Sequence, residues 1–193
     1  MQKQFLWTQR PGLHYFAPGN IDFSPGSQGS VSLWYHPAAP NQRGYLWNLQ
    51  TDGSSYATVR WDQAISQGRM EFKVYSGGAS SKRVYTSGGL FEVDNFHRWY
   101  LVTATWDFTT PDEGVLRLYY DTEDAADTST CTDANGIPDT LSQFYIGNRP
   151  TDTLVEGCFD HVAIFDDVMS EADHQARLNG AMPGDFKARD YAR

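Results

Sequence analysis

Aromatic and hydrogen-bonding side chains that could bind a sugar occur together on three early segments of the chain. The six residues in this candidate ligand-binding set are Trp34, Trp47, Trp61, Tyr45, Asn48 and Arg60. Sugar rings pack on aromatic side chains, and amide or guanidinium groups can donate hydrogen bonds to hydroxyl groups. Core packing is the competing interpretation, because large aromatic residues are more often buried than exposed. The pattern predicts a glycan-binding or protein-binding surface on these strands.

The carboxylates and histidines are not spaced for catalysis. A retaining glycosidase needs two carboxylates about 5 Å apart, which a strand supplies at positions i and i+2 or i+4. Glu71, Glu92 and Glu156 stand alone, and the five histidines lie far apart without a serine or cysteine pattern typical of a triad. We therefore expect a non-catalytic protein, with a polysaccharide hydrolase or lyase as the alternative.

Composition excludes several other classes of function. The chain has 193 residues and a formal net charge of −9, whereas phosphate binding needs clustered lysine and arginine. No apolar run approaches the length that crosses a bilayer, and the N-terminus carries no stretch of signal-peptide type. We expect neither a nucleic-acid partner nor a membrane partner, and synthesis without a secretory leader unless one has been removed.

The two cysteines and one acidic loop leave alternatives open. Cys131 and Cys158 permit a single disulfide but are equally compatible with two free thiols. The loop Asp133–Asp139 spaces aspartate and asparagine by two before a glycine, as short calcium loops do. It has no downstream glutamate of the kind that completes an EF-hand, so a solvated turn is the favoured interpretation.

Apolar and polar residues alternate with a period of two along most of the chain, which predicts strands buried on one face. The expected core residues are Val31, Leu33, Val102, Ala104, Trp106, Leu116, Leu118, Ile146, Val162 and Ile164. Asp52 and Gly53 predict a two-residue hairpin turn that sets Trp47 opposite Thr58. The acidic segment 121–139 is predicted to be an exposed loop between two paired strands.

One helix is predicted near the C-terminus. Ser170 is placed as its N-cap, with Asp173 in the first turn, and the helix is expected to stop at Gly180. We assign residues 1–180 to one β-sandwich domain and residues 181–193 to a tail. Four tail residues could dock on a partner, although a disordered tail is the alternative; they are Phe186, Lys187, Arg189 and Tyr191.

Six segments in sequence order resemble the concanavalin A-like lectin/glucanase superfamily, in particular its laminin G and pentraxin domains. Val31–Pro37 resembles the strand written sxWvkP, Arg98–Asp107 resembles xWhhvavTwD, Val115–Asp121 resembles lrLYvDg, Ile146–Asn148 resembles iGn, Phe159–Phe165 resembles iDevrIy and Met169–Glu171 resembles the helix start alSeeei. This resemblance, over residues 31–178, implies an all-β fold: a two-sheet antiparallel β-sandwich of jelly-roll connection with one short C-terminal helix.

The resemblance also implies a site for structural calcium. Relatives of this fold often place a carboxylate on calcium where Asp160 stands here, and Asn20 or Asp22 could supply further oxygens. Calcium needs six to eight oxygen ligands, so the alternative is that Asp160 accepts hydrogen bonds near a turn.

Function is expected to be binding rather than catalysis. The leading interpretation is a surface-displayed adhesion module that recognises a glycan or a protein, located extracellularly or on a virion surface as a decoration or tail protein. In the virion setting we expect capsid or other virion subunits as partners, within an oligomer or larger assembly. A structural assembly protein without glycan binding is the second interpretation.

Overall fold

In a computed structural model, the described part of the chain forms eleven strands and one helix. The structure describes residues 14–16, 27–40, 43–50, 56–62, 69–75, 82–86, 96–110, 113–121, 123–127, 143–147 and 155–180. The strands are β1 (His14–Phe16), β2 (Gln28–Pro37), β3 (Arg43–Gln50), β4 (Tyr56–Asp62), β5 (Arg69–Tyr75), β6 (Lys82–Tyr85), β7 (Tyr100–Thr110), β8 (Glu113–Tyr120), β9 (Glu123–Asp127), β10 (Gln143–Ile146) and β11 (Gly157–Phe165), and the helix is α1 (Glu171–Gly180).

The strands form two antiparallel sheets. The six-stranded sheet has the order β1-β10-β3-β4-β5-β6, and the five-stranded sheet has the order β11-β2-β7-β8-β9. Each sheet therefore contains strands from distant parts of the chain, as expected of a sandwich rather than of a simple meander. This arrangement confirms the predicted all-β sandwich with one short helix.

Apolar side chains from both sheets meet in one core. Val59, Phe72 and Val84 belong to this core cluster from the six-stranded sheet, and Val31 and Val102 belong to it from the five-stranded sheet. Nine of the ten expected core residues are buried members of the cluster, and Ile164 is half-buried and packs against it. The period-two pattern thus identified the inner face correctly, because alternate strand residues point to opposite faces.

The helix begins at a reciprocal cap. The backbone N–H of Ser170 donates to Asp173 Oδ2 over 2.9 Å, and the N–H of Asp173 donates to Ser170 Oγ over 3.2 Å. These bonds satisfy backbone donors that a helix leaves unpaired at its start. His174, buried on α1, bonds Thr103 of β7 and stacks on Tyr119 of β8. The helix therefore packs on the outer side of the five-stranded sheet.

Two local predictions were wrong. Trp47 pairs with Val59 and Gln50 pairs with Tyr56, so the hairpin register is shifted by one residue from that of a two-residue turn at Asp52 and Gly53. Within the segment 121–139, residues Glu123–Asp127 form β9 at the edge of the five-stranded sheet. That segment does not join two paired strands, because β8 and β10 lie in different sheets.

The tail 181–193, including Phe186, Lys187, Arg189 and Tyr191, lies outside the described residues, so its docking role stays a prediction. The division into a 1–180 domain and a tail is likewise untested. In the part of the chain that the structure describes, no helix has the length and apolar character needed to cross a bilayer.

Candidate functional site

The side of the six-stranded sheet that faces away from the core is polar and aromatic. Because Ala57, Val59 and Phe72 enter the core, their neighbours along β4 and β5 point to the opposite side. We call this side the outer face. Its described residues, from β10 to β6, are Gln143, Tyr145, Arg43, Tyr45, Asn48, Gln50, Tyr56, Thr58, Arg60, Asp62, Arg69, Glu71, Lys73, Tyr75, Arg83 and Tyr85.

Glu71 organises one row of this face. Its Oε2 lies 3.1 Å from Arg60 Nη2 and 3.7 Å from Arg83 Nη1. The Glu71 side chain is 2% exposed, whereas that of Arg83 is 40% exposed. A hydrogen bond with Tyr85 and the charge of Glu71 raise the pKa of Arg83. The buried carboxylate of Glu71 therefore lies between the guanidinium groups of Arg60 and Arg83.

Lys73 and two tyrosines form an aromatic unit on the same face. Tyr56 and Tyr75 are cross-strand partners whose rings stack with centroids 5.3 Å apart. Lys73 Nζ donates to Tyr56 Oη over 2.7 Å and lies 5.1 and 5.4 Å from the two ring centroids. A cation over aromatic faces orders both partners, so this unit provides a fixed, half-exposed platform.

Asn48 of β3 lies between its two cross-strand partners, Tyr145 of β10 and Thr58 of β4. Its side chain is fully buried, yet neither Nδ2 nor Oδ1 has a hydrogen-bond partner in the structure as described. Thr58, by contrast, donates its hydroxyl to the carbonyl oxygen of Trp47 over 2.8 Å. A buried amide without a partner is costly, and a ligand or water that reached it would gain up to four hydrogen bonds.

Three of the six predicted ligand-binding residues come together on the outer face: Tyr45, Asn48 and Arg60, with Tyr45 directly paired to Arg60 across the strands. Trp47 and Trp61 instead lie in the core cluster with 0% exposure, so no sugar ring can stack on them in this structure. Trp34 is 1% exposed and belongs to the five-stranded sheet. The burial of all three tryptophans favours the competing interpretation of core packing.

The predicted ligand-binding set did not include Tyr56, Glu71, Lys73 or Tyr75. A signal for them was present, because each alternates with an apolar residue in β4 or β5. Selecting tryptophans by type placed the emphasis on the inner residues of these strands. Selecting the residues between the apolar ones would have identified the outer face.

Asp160 is buried at an irregularity in β11. Its Oδ1 accepts the backbone N–H of His161 over 2.8 Å and lies 3.1 Å from His161 Nδ1. His161 has a positive φ of 46°, and pairing with β2 shifts between Asp160 and Ala163. Burial raises the pKa of Asp160, while the adjacent His161 opposes that rise. The carboxylate thus satisfies a backbone donor at the bulge.

These residues alone do not fit a calcium ion. Asp160 offers one carboxylate, and the described ranges contain no group of three or more His, Cys, Asp or Glu placed to hold a metal. Asn20, Asp22 and the loop Asp133–Asp139 lie outside those ranges. Structural calcium therefore stays a prediction.

Cys158 of β11 is a half-buried free thiol. Its possible disulfide partner, Cys131, is not among the residues that the structure describes. Cys158 pairs in register with His36 on the five-stranded sheet, so the thiol is not part of the outer face.

A family comparison assigns the chain to a class of proteins. The family model described as the concanavalin A-like lectin/glucanases superfamily matches residues 12–173. The chain therefore belongs to this superfamily, which confirms the resemblance seen in its sequence. No curated protein matches the chain in a sequence search.

Solved structures with the same fold include binding domains. The binding domain of botulinum neurotoxin DC in complex with rat synaptotagmin II superposes with a TM-score of 0.64 at 15% identity, covering 92% of this chain and 42% of that one. A structure of botulinum neurotoxin type C, whose cell entry depends on two ganglioside molecules, gives 0.61 at 13% identity, covering 93% and 46%. This chain thus spans less than half of each neurotoxin chain.

A third similar structure matches over nearly its whole length. It is domain 4 of a GH43 extracellular arabinanase from Geobacillus stearothermophilus in complex with arabinotriose, with a TM-score of 0.57 at 12% identity. The match covers 92% of this chain and 88% of that domain. At these identities the three structures establish the shared fold.

Proposed function

We propose that this chain is a non-catalytic glycan-binding module whose recognition surface is the outer face. The observation that carries the proposal is the half-exposed aromatic unit of Tyr56, Tyr75 and Lys73, on the face that also holds the buried, unpartnered amide of Asn48. Flat rings bind the apolar faces of sugars, and directed polar groups bind their hydroxyls. Stacked, hydrogen-bonded side chains also lose little conformational entropy on binding.

The similar structures support binding as the general role. The arabinanase domain holds arabinotriose, and the neurotoxin structures concern gangliosides and synaptotagmin. Protein recognition is accordingly the second candidate, favoured by the synaptotagmin complex. Extracellular or virion-surface display, virion subunits as partners and an oligomeric assembly stay predictions from the sequence.

The chemistry of the outer face supports a non-catalytic role. The register places two described carboxylates on this face, Asp62 and Glu71, and Glu71 is held by Arg60 and Arg83. A carboxylate pair hydrolyses a glycosidic bond only if both groups reach that bond, and the Glu71 side chain is 2% exposed. Release of reducing ends from any polysaccharide by the purified protein would overturn this part of the proposal.

Glycan-array screening followed by calorimetry on the best ligand tests the proposal. Tyr75→Ala removes half of the stacked pair, and a stacking contribution of about 1 kcal/mol corresponds to roughly fivefold weaker binding. Trp99→Ala is the matched control, because Trp99 is a half-buried aromatic residue that immediately precedes β7 of the other sheet. Equal losses in both variants, or no saccharide bound at millimolar concentration, would contradict the proposed surface.

A further inference from the structure

The charge of the outer face opposes that of the whole protein. The chain carries a formal net charge of −9. Among the described residues that the register places on the outer face, five are cations and two are carboxylates: Arg43, Arg60, Arg69, Lys73 and Arg83, and Asp62 and Glu71. A local excess of one sign on an otherwise opposite surface attracts ligands of the opposite charge.

The cationic side chains whose contacts are described differ in whether their partners carry a charge. Glu71 lies 3.1 Å from Arg60 and 3.7 Å from Arg83, so its charge is shared between the two guanidinium groups. Lys73 has a different environment, because its ammonium contacts the hydroxyl of Tyr56 and the rings of Tyr56 and Tyr75. These partners are neutral, so they order the ammonium group without neutralising it.

We infer that the outer face binds a saccharide bearing a carboxylate group, and that Lys73 receives that carboxylate. The inference rests on the proposed glycan-binding role and adds the chemical class of the ligand. A sugar that packs against the Tyr56–Tyr75 pair lies beside Lys73 Nζ, which is 5.1 Å from one ring centroid and 5.4 Å from the other. A uronate or sialate then makes a charge-assisted hydrogen bond that a neutral sugar cannot make.

Matched pairs of sugars test the inference. The probes are trigalacturonate against galactotriose, and sialyllactose against lactose, each titrated by calorimetry at 20 mM and 300 mM salt. We expect the acidic member of at least one pair to bind about tenfold more tightly at low salt, because hydrogen bonds to charged groups contribute about 1.5–3 kcal/mol. The preference should shrink at high salt as the charges are screened.

Two lysine variants locate the effect. Lys73→Met keeps the aliphatic stem and removes the ammonium, so it should abolish the preference for the acidic sugar while the neutral sugar binds nearly as before. Lys82→Met makes the same change in net charge, but Lys82 is in register with Val74 of the core face rather than with the outer face. This control should keep the preference.

The outcomes separate the two proposals. Binding of neutral sugars alone, or equal loss of both sugars in Lys73→Met with its melting temperature unchanged, overturns the inference and leaves the glycan-binding role intact. Failure to bind any saccharide overturns both. Binding of an acidic peptide such as hexaglutamate, without any saccharide, would likewise overturn both and assign the face to a protein partner.

Discussion

His174 should anchor the helix to the sandwich. Its imidazole is 0% exposed, with Nε2 at 2.6 Å from the carbonyl oxygen of Asp121 and Nδ1 at 2.9 Å from Thr103 Oγ1. The ring stacks on Tyr119 with centroids 5.3 Å apart. A carbonyl oxygen can only accept, so Nε2 carries the proton and, in the neutral ring, Nδ1 accepts from the Thr103 hydroxyl.

The cost of His174→Ala follows from these contacts. Two hydrogen bonds contribute about 1 kcal/mol net each, and the ring stack adds about 1 kcal/mol. We expect the free energy of unfolding in urea, followed by tryptophan fluorescence, to fall by about 3 kcal/mol, a large share of the 5–15 kcal/mol typical of a domain. Asn179→Ala, an exposed change on the same helix, should stay within about 0.5 kcal/mol.

Two further measurements sharpen this prediction. His174→Phe retains the ring but lacks both nitrogens, so it should lose about 2 kcal/mol, the share assigned to the hydrogen bonds. Saccharide affinity should be unchanged in both variants, because the helix packs on the five-stranded sheet. A loss below about 1 kcal/mol for His174→Ala would refute the anchoring role.

Three further changes have defined expectations. A Cβ on Gly29 would overlap the indole ring of Trp106, so Gly29→Ala should lower the free energy of unfolding in urea by about 1–3 kcal/mol through overpacking. Ser170→Ala removes the helix cap and should cost about 1 kcal/mol. Hydrogen bonds from Ser170 lower the pKa of Asp173, so the cap's contribution should be full above pH 3.8, the ordinary value, and be lost as the pH falls through the lower folded-state pKa. Trp47→Ala removes a fully buried indole and should cost about 3–5 kcal/mol in the same assay, so any loss of ligand binding would accompany unfolding.

Each of these three has a result that would contradict it. Gly180→Ala is the control for Gly29, since no atom lies within 4 Å of its added Cβ; similar costs at both positions would exclude steric overlap as the cause. A pH-independent difference between Ser170→Ala and the parent protein would exclude the carboxylate from the cap. Weaker saccharide binding by Trp47→Ala at an unchanged melting temperature would show that Trp47 belongs to the ligand-binding surface.

The sequence predicted the sandwich well because burial imposes a period of two on each strand. Val31 and Val102 could be assigned to the core from alternation alone. Register was predicted wrongly because the prediction relied on the turn signal of Asp52 and Gly53, which pairs Trp47 with Thr58, whereas matching apolar with apolar residues pairs Trp47 with Val59. The pairing of β3 with β4 shifts by one residue at an irregularity between Tyr45 and Trp47, and local sequence patterns do not encode such an irregularity.

The site was only half predictable for a related reason. Residue type indicated which kinds of side chain bind sugars, and three of the residues predicted on that basis, Tyr45, Asn48 and Arg60, lie on one face of the sheet. Neither type nor spacing shows which face of a strand turns inward when both faces carry large residues, so Trp47 and Trp61 were grouped with them. The contact between Glu71 and Arg83 joins two strands across the sheet and depends on register.

The central polar residues of the two outer surfaces differ in whether their side chains are hydrogen-bonded. On the five-stranded sheet, Ser32 bonds Thr103, which bonds His174 in turn. On the six-stranded sheet, the amide of Asn48 is buried without a described partner, beside a Thr58 hydroxyl that is paired. An unpaired buried amide costs about 1–3 kcal/mol. Such a cost is expected at a position where a bound ligand forms hydrogen bonds with the amide and so offsets it.

Because Asn48 lacks a partner and Thr58 has one, we expect apolar substitutions at these two adjacent residues to change the free energy of unfolding in opposite directions. Asn48→Leu, similar in volume and apolar, should raise the free energy of unfolding by about 1 kcal/mol, since it removes the unpaired amide, and should weaken saccharide binding. Thr58→Val, the matched change on the neighbouring strand, should lower stability by about 1 kcal/mol because it deletes the bond to Trp47. Saturating saccharide should raise the melting temperature of the parent protein more than that of Asn48→Leu. If Asn48→Leu destabilises the ligand-free protein as much as Thr58→Val does, the amide is already bonded without a ligand and Asn48 is structural.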